Sequence, residues 1–210
     1  MGLISNGTTI FDAGSMSAGF GGSLTFIKKL TASGSANLTF HHGTSNVVLD
    51  STYKEYLFTF KNIHPSSNTT DFTFQANTVG ASGFNESITS TFINAYNNEG
   101  DSARAGPRFL DADGRSQHNE TGFNLISVSE MGNDNDQCLG GYLRLFNPSD
   151  TTFVKHFIID VNQTVRDDYT FHNQIAGYFN VTAAIDEIQF KQSAGTIDSG
   201  IIKLYGIKDS

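Results

Sequence analysis

Few groups along this chain could act as nucleophiles, bases or metal ligands, and their spacing does not bring them together. Cys138 is the single cysteine, so no intrachain disulfide forms. A thiol becomes reactive when a histidine, lysine or helix N-terminus holds it as thiolate, and nothing next to Cys138 in sequence does so. By itself it reads as a small residue of the interior. The six histidines, His41, His42, His64, His118, His156 and His172, are scattered and show no metal spacing such as His-Glu-x-x-His. No serine has the glycines of Gly-x-Ser-x-Gly, the strained elbow of α/β hydrolases. Other folds build a triad without that motif, so one class of hydrolase is removed rather than all. Paired carboxylates for glycoside hydrolysis depend on a separation in space that spacing along the chain does not display.

Two acidic stretches invite a calcium reading. Asp111-Ala112-Asp113-Gly114 opens like a calcium loop, and Gly132-Asn133-Asp134-Asn135-Asp136 offers several oxygens. Calcium takes about 6–8 oxygen ligands, and neither stretch supplies the third ligand and later glutamate in register. Turn formation by Asp, Asn and Gly accounts for both. Asn-x-Ser/Thr sequons stand at Asn6, Asn37, Asn68, Asn85, Asn119, Asn162 and Asn180. A chain rich in Asn, Ser and Thr forms such triplets by chance, and no signal peptide is expected here to expose them to glycosylation. The expectation is a non-enzyme with no catalytic, cofactor-binding or metal-binding residues.

The elements that would position any site are strands. The chain holds 18 Phe and 7 Tyr, no Trp and only 3 Pro, among 210 residues. Aromatic and β-branched residues suit a pleated, half-buried surface, and 21 Gly with many Ser, Asn and Asp supply turns. In YKEYLFTFKNI, Tyr56, Phe58 and Phe60 alternate with Leu57, Thr59 and Lys61, which predicts a strand with one buried face. His64-Pro65-Ser66-Ser67-Asn68 ends it, and DFTFQAN follows with Phe72, Phe74 and Ala76 in register; the two are expected to pair as a hairpin. LTFIKKL puts Leu24, Phe26 and Leu30 on one face, and SANLTF does the same for Ala36, Leu38 and Phe40. ITSTFINAY, TGFNLISVS, GGYLRLFN and IIKLYGI are strand-like too. TFVKHFIIDVN sets Phe153, Phe157, Ile159 and Val161 on one face. YTFHNQIAGYF sets Tyr169, Phe171, Ile175 and Phe179 opposite His172 and Tyr178. In AIDEIQFKQS, Ile185 is out of step with Ile188 and Phe190, which a bulge near Asp186 would repair. Residues 97–121 read as one long polar surface loop.

About ten strands spaced by turns predict an all-β, antiparallel β-sandwich, jelly-roll-like, spanning 24–210 as a single domain. Residues 1–23 form a Gly/Ser-rich arm, which reads either as a flexible tail or as an extended arm whose apolar points, Ile4, Ile10, Phe11 and Phe20, dock on a neighbouring subunit. The net charge of -8 and pI of about 5.0 come without a basic stripe, so no nucleic acid is expected as partner. No run approaches the roughly 18 apolar residues of a membrane span. Met1-Gly2 lacks the Ser or Thr of a myristoylation motif, where Asn6 stands.

Three stretches carry a resemblance: DSTYKEYLFTFKNIHPSSNTTDFTFQANT, GNDNDQCLGGYLRLFNPSDTTFVKHF and the closing GTIDSGIIKLYGIKDS. Together they resemble virion-associated proteins of marine tailed bacteriophages, notably those of cyanobacteria and of abundant ocean bacteria. The ending Ser199, Gly200, Ile202, Leu204, Tyr205, Gly206, Ile207 and Lys208 is the most recognisable part. The resemblance covers most of the chain after about residue 24 and brings no catalytic residues. It implies a virion structural protein, assembled in the bacterial cytoplasm, that decorates or cements a capsid or forms a head appendage. Its partners would be other virion proteins, such as the major capsid protein or tail subunits, and further copies of itself. The alternative it leaves open is a tail-fibre or tail-tip module that recognises host surface glycan.

Overall fold

The computed structural model describes residues 3–5, 8–12 and 15–16 through their backbone, and residues 23–111, 115–127 and 131–209 in full. Strands β1 (Leu3–Ser5), β2 (Thr8–Asp12) and β3 (Ser15–Met16) form a small antiparallel meander of their own. The rest of the Gly/Ser-rich arm lies outside the described residues.

Thirteen strands follow, with no helix among the described residues. In chain order they are β4 (Leu24–Ser35), β5 (Leu38–His41), β6 (Glu55–Pro65), β7 (Phe72–Thr78), β8 (Ile88–Asn98), β9 (Arg104–Phe109) and β10 (His118–Glu120). Then come β11 (Asn124–Leu125), β12 (Leu139–Phe146), β13 (Lys155–Thr164), β14 (Tyr169–Phe179), β15 (Ile185–Gln192) and β16 (Ile197–Ile207). One sheet has nine strands in the order β10-β8-β14-β13-β12-β6-β16-β4, with β9 also on β8; the other has four, β11-β7-β15-β5. Every pairing between them is antiparallel. The chain is a β-sandwich, as its alternation predicts.

Aromatic rings join the layers. Phe40 meets Phe58 with ring centroids 5.3 Å apart, Phe60 meets Phe72 at 5.4 Å, and Phe74 meets Phe157 at 5.0 Å, all edge to face. Phe190 sits centrally and touches the rings of Phe40, Phe58, Phe60, Phe72 and Phe74. Each such contact adds about 0.5–1.5 kcal/mol beyond the area buried. Strand β7 is buried on both faces. Phe72, Phe74 and Ala76 face the large sheet, while Thr73, Gln75 and Asn77 lie under loops. Gln75 Nε2 donates to the carbonyls of Glu86 and Gly122, and Asn77 Oδ1 accepts from the Phe84 amide.

The register corrects several expectations. β6 and β7 are not a hairpin: β6 pairs with β12 and β16, β7 with β11 and β15. Their apolar faces meet across the core instead. The polar stretch 97–121 is not one loop, because β9 and β10 both return to pair with β8. Of TGFNLISVS only Asn124–Leu125 is strand, and residues 128–130 lie outside the described residues. Phe153 stands before β13 and is 70% exposed, and Lys155 takes the inward position in its place. The Phe153 loop is fastened by Asp150, whose carboxylate accepts the Phe153 and Thr152 amides and is held below the usual carboxylate range by them. The bulge expected near Asp186 is present, with the register shifting between Ile185 and Glu187.

A second bulge was not foreseen. Leu204 pairs with Lys28 but Tyr205 pairs with Phe26, leaving Ile27 as the extra residue. Side chains on either side of it change faces. Leu30, opposite Ile202, points to the core, whereas Phe26 and Leu24, opposite Tyr205 and Ile207, point outward.

Candidate functional site

The place where a thiol and an imidazole share a pocket lies at the turn end of β6 and β12. Asn62, His64, Asn135, Cys138, Asp198 and Ser199 line it. His64 Nε2 donates to the Asp134 carbonyl at 3.1 Å, whereas Nδ1, 3.5 Å from Asp198 Oδ2, makes no hydrogen bond. Burial pushes the Cys138 thiol up, away from the reactive thiolate. An imidazole fastened to a backbone carbonyl through Nε2, beside a thiol whose pKa is raised by burial, is poorly arranged as a nucleophile–base pair.

The other histidines are spread over the surface. His118 Nε2 lies 2.6 Å from Asp111 Oδ1 and His172 Nε2 lies 3.0 Å from Asp160 Oδ1. His41 is 3.6 Å from Glu187, and His156 packs edge-on against Tyr178. His42 is structural, its Nδ1 accepting the Leu49 amide at 3.1 Å. Among the described residues no three His, Cys, Asp or Glu side chains converge as a metal site. Residues 112–114 of the first acidic stretch lie outside the described residues. In the second, Asp134 accepts from Gln137 and the Asn133 amide donates to Asn68, so turn bonding uses these groups.

Lys155 is fully buried, with the Asp150 carboxylate near enough to act on its charge. Its Nζ donates to the carbonyls of Phe153 at 2.7 Å, Thr182 at 3.0 Å and Val181 at 3.3 Å, tying two loops together at one end of the sandwich. Desolvation lowers its pKa. Three donors matched to three carbonyls make it a cross-link rather than a reacting amine.

What the outer face of the nine-stranded sheet offers is a surface. Strand register sets its side chains in transverse rows. One runs Phe26, Tyr205, Leu57, Arg144, Ile158, Ala176, Thr91 from β4 to β8. The next runs Lys29, Lys203, Thr59, Tyr142, Asp160, Gln174, Ile93 and ends on Phe109 of β9. Of the eight large apolar side chains exposed among the described residues, six lie on this face: Leu24, Phe26, Ile93, Phe109, Tyr142 and Ile158. Val79 and Phe153 are the two elsewhere. A hollow of about 440 Å³ sits over Ala176 and Gly177, walled by Ile158, Thr91, His156 and Tyr178. Charges border the apolar band: Lys29 and Lys203 toward one edge, Asp160 toward the other, and Arg144 3.6 Å from Glu55 in the middle.

None of these residues announces itself in sequence. Ile158 and Tyr142 look like ordinary strand residues until the register aligns them. No protein family, curated protein or solved structure matches the chain.

Proposed function

We propose that this chain is a structural subunit of a tailed-bacteriophage virion, a jelly-roll-like sandwich that decorates the capsid or forms a head appendage and catalyses nothing itself. The observation that carries the reading is the concentration of exposed apolar side chains on one sheet face. Six of the eight large exposed apolar side chains among the described residues share this one face, a bias of the kind that marks contact surfaces. The resemblance of its aromatic strands and its closing Leu204-Tyr205-Gly206-Ile207-Lys208 to virion proteins of marine phages says what kind of assembly that contact would serve. Repetition over a symmetric particle lets modest contacts add up.

Quantitative mass spectrometry of purified virions tests this. A decoration subunit is expected at on the order of hundreds of copies per particle, because it follows the capsid lattice. A few dozen copies or fewer would move it to the tail, where a receptor-binding role would replace decoration. Its absence from virions would overturn the structural reading altogether.

A further inference from the structure

The rows on the outer face have a symmetry that a single subunit does not use. We propose that a second copy of this chain covers this face, the two nine-stranded sheets packing against each other about a twofold axis that runs parallel to the strands between β12 and β6. The proposal rests on the reading above only in treating this face as a contact surface.

Such an axis keeps each row at its own level and exchanges the strands: β12 lies over β6 of the partner, β13 over β16, and β14 over β4. The consequences follow from register alone. Asp160 on β13 comes over Lys203 of the partner subunit, and Lys203 over Asp160 of the partner subunit, so every copy of the interface holds two opposite-charge pairs. One row away, Ile158 comes over Tyr205 of the partner subunit. At the margin, Phe26, 56% exposed, comes over the hollow at Ala176 and Gly177 of the partner subunit. Ring meets hollow, and acid meets amine.

The size is right for a stable pair. The six overlapping strands, each about 4.8 Å wide, cover roughly 30 Å, and the two rows above with the next one through Leu24, Ile207 and Glu55, each about 7 Å deep, cover about 20 Å. That gives about 600 Å² per subunit, near the roughly 800 Å² of an ordinary specific interface. Strand directions stay aligned, as in common sheet-on-sheet packing. A two-fold contact of this sort also closes on itself instead of growing into a filament.

Sedimentation velocity on the purified full chain tests the idea. The expected result is a dimer of twice the 22.8 kDa chain mass. Ile158→Asp should yield monomer with an unchanged far-ultraviolet dichroism spectrum, since the side chain is 46% exposed. Lys203→Glu and Asp160→Lys should each raise the dissociation constant about tenfold, like charges then facing each other. The double variant should return close to the parent value, which a merely structural role of either residue would not produce. A chain that stays monomeric at all concentrations overturns the proposal, as does a dimer indifferent to Ile158→Asp and to the charge exchange. A monomer that nevertheless copurifies with virions would sink the dimer and leave the structural role standing. A dimer from a chain missing from virions would do the reverse.

Discussion

The ring of Phe157 lies directly over the backbone of Gly177 on the neighbouring strand, so that a β-carbon at position 177 would stand 2.7 Å from Phe157 Cζ. The same carbon would be 2.6 Å from the Thr89 carbonyl oxygen and 2.8 Å from Ser90 Cβ. A side-chain rotation relieves one of these contacts and leaves the others, because a backbone atom of β8 is involved. Gly177→Ala should therefore destabilise the fold by about 1–3 kcal/mol through overpacking. Urea unfolding of the variant beside the parent measures it, and an unchanged midpoint would show that β14 can shift away from β8 without loss.

Lys155 predicts a different kind of loss. Lys155→Met preserves most of the side-chain volume but withdraws the donor from the Phe153, Val181 and Thr182 carbonyls. Buried acceptors left without partners cost about 1–3 kcal/mol each, and water reaching the loop end will recover part of that. The expected net loss is about 3 kcal/mol, with faster hydrogen exchange confined to residues 148–155 and 180–185. Uniform exchange across the sandwich would contradict the cross-link.

Tyr56 should make stability fall in alkali. Its hydroxyl is buried, donates to the Asp50 carbonyl at 2.8 Å and accepts the Asp50 amide at 3.0 Å. Burial pushes its pKa up to about 12, against 10 for the free phenol. The folded chain thus keeps a proton that the unfolded chain gives up, and stability declines as pH rises from about 10 to about 12. The full decline attributable to this group is about 2–3 kcal/mol. Lys155, with a lowered pKa, titrates in the opposite sense, so the informative quantity is the difference between the parent and Tyr56→Phe. That difference should narrow with rising pH, and a constant difference would refute the assignment.

Gln192 is an opportunity for stabilisation. It is 3% exposed, and neither its Nε2 nor its Oε1 has a hydrogen-bond partner. Replacing a desolvated, unpaired amide by a side chain of similar length removes a penalty of about 1–3 kcal/mol. Gln192→Met should raise the unfolding midpoint in urea, and a fall would mean that the amide is satisfied by bound water.

Strand existence was legible wherever one face is buried and the ladder is regular. Tyr56, Phe58 and Phe60 are predicted inward and are 0%, 0% and 4% exposed, because a period of two depends on local geometry alone. Partner choice was not legible: β6 and β7 are adjacent in sequence, yet each finds distant neighbours, and nothing local encodes those pairings. The outward turn of Leu24 and Phe26 was hidden for another reason. LTFIKKL alternates as if regular, and a single bulged residue, Ile27, inverts the faces on one side of it. The contact surface depends on that inversion and on cross-strand alignment over many strands, so no window of sequence displays it. The polar run 97–121 misled in the opposite direction, since β9 is an edge strand with little buried apolar surface to announce it.

The pairing of β4 with β16 sets when this molecule can finish folding. The strand that opens the sandwich is hydrogen-bonded to the one that closes it, and β16 also lies between β4 and β6. Until β16 has left the ribosome, β4 has no partner in its sheet and β6 keeps a bare edge. Folding of the large sheet must therefore wait until β16 has been made, and loop-closure entropy over the long span from β4 to β16 slows that step. A nascent chain arrested before Ile197 would present unpaired aromatic strands to its surroundings, which makes the interval before β16 emerges the moment of greatest exposure to aggregation.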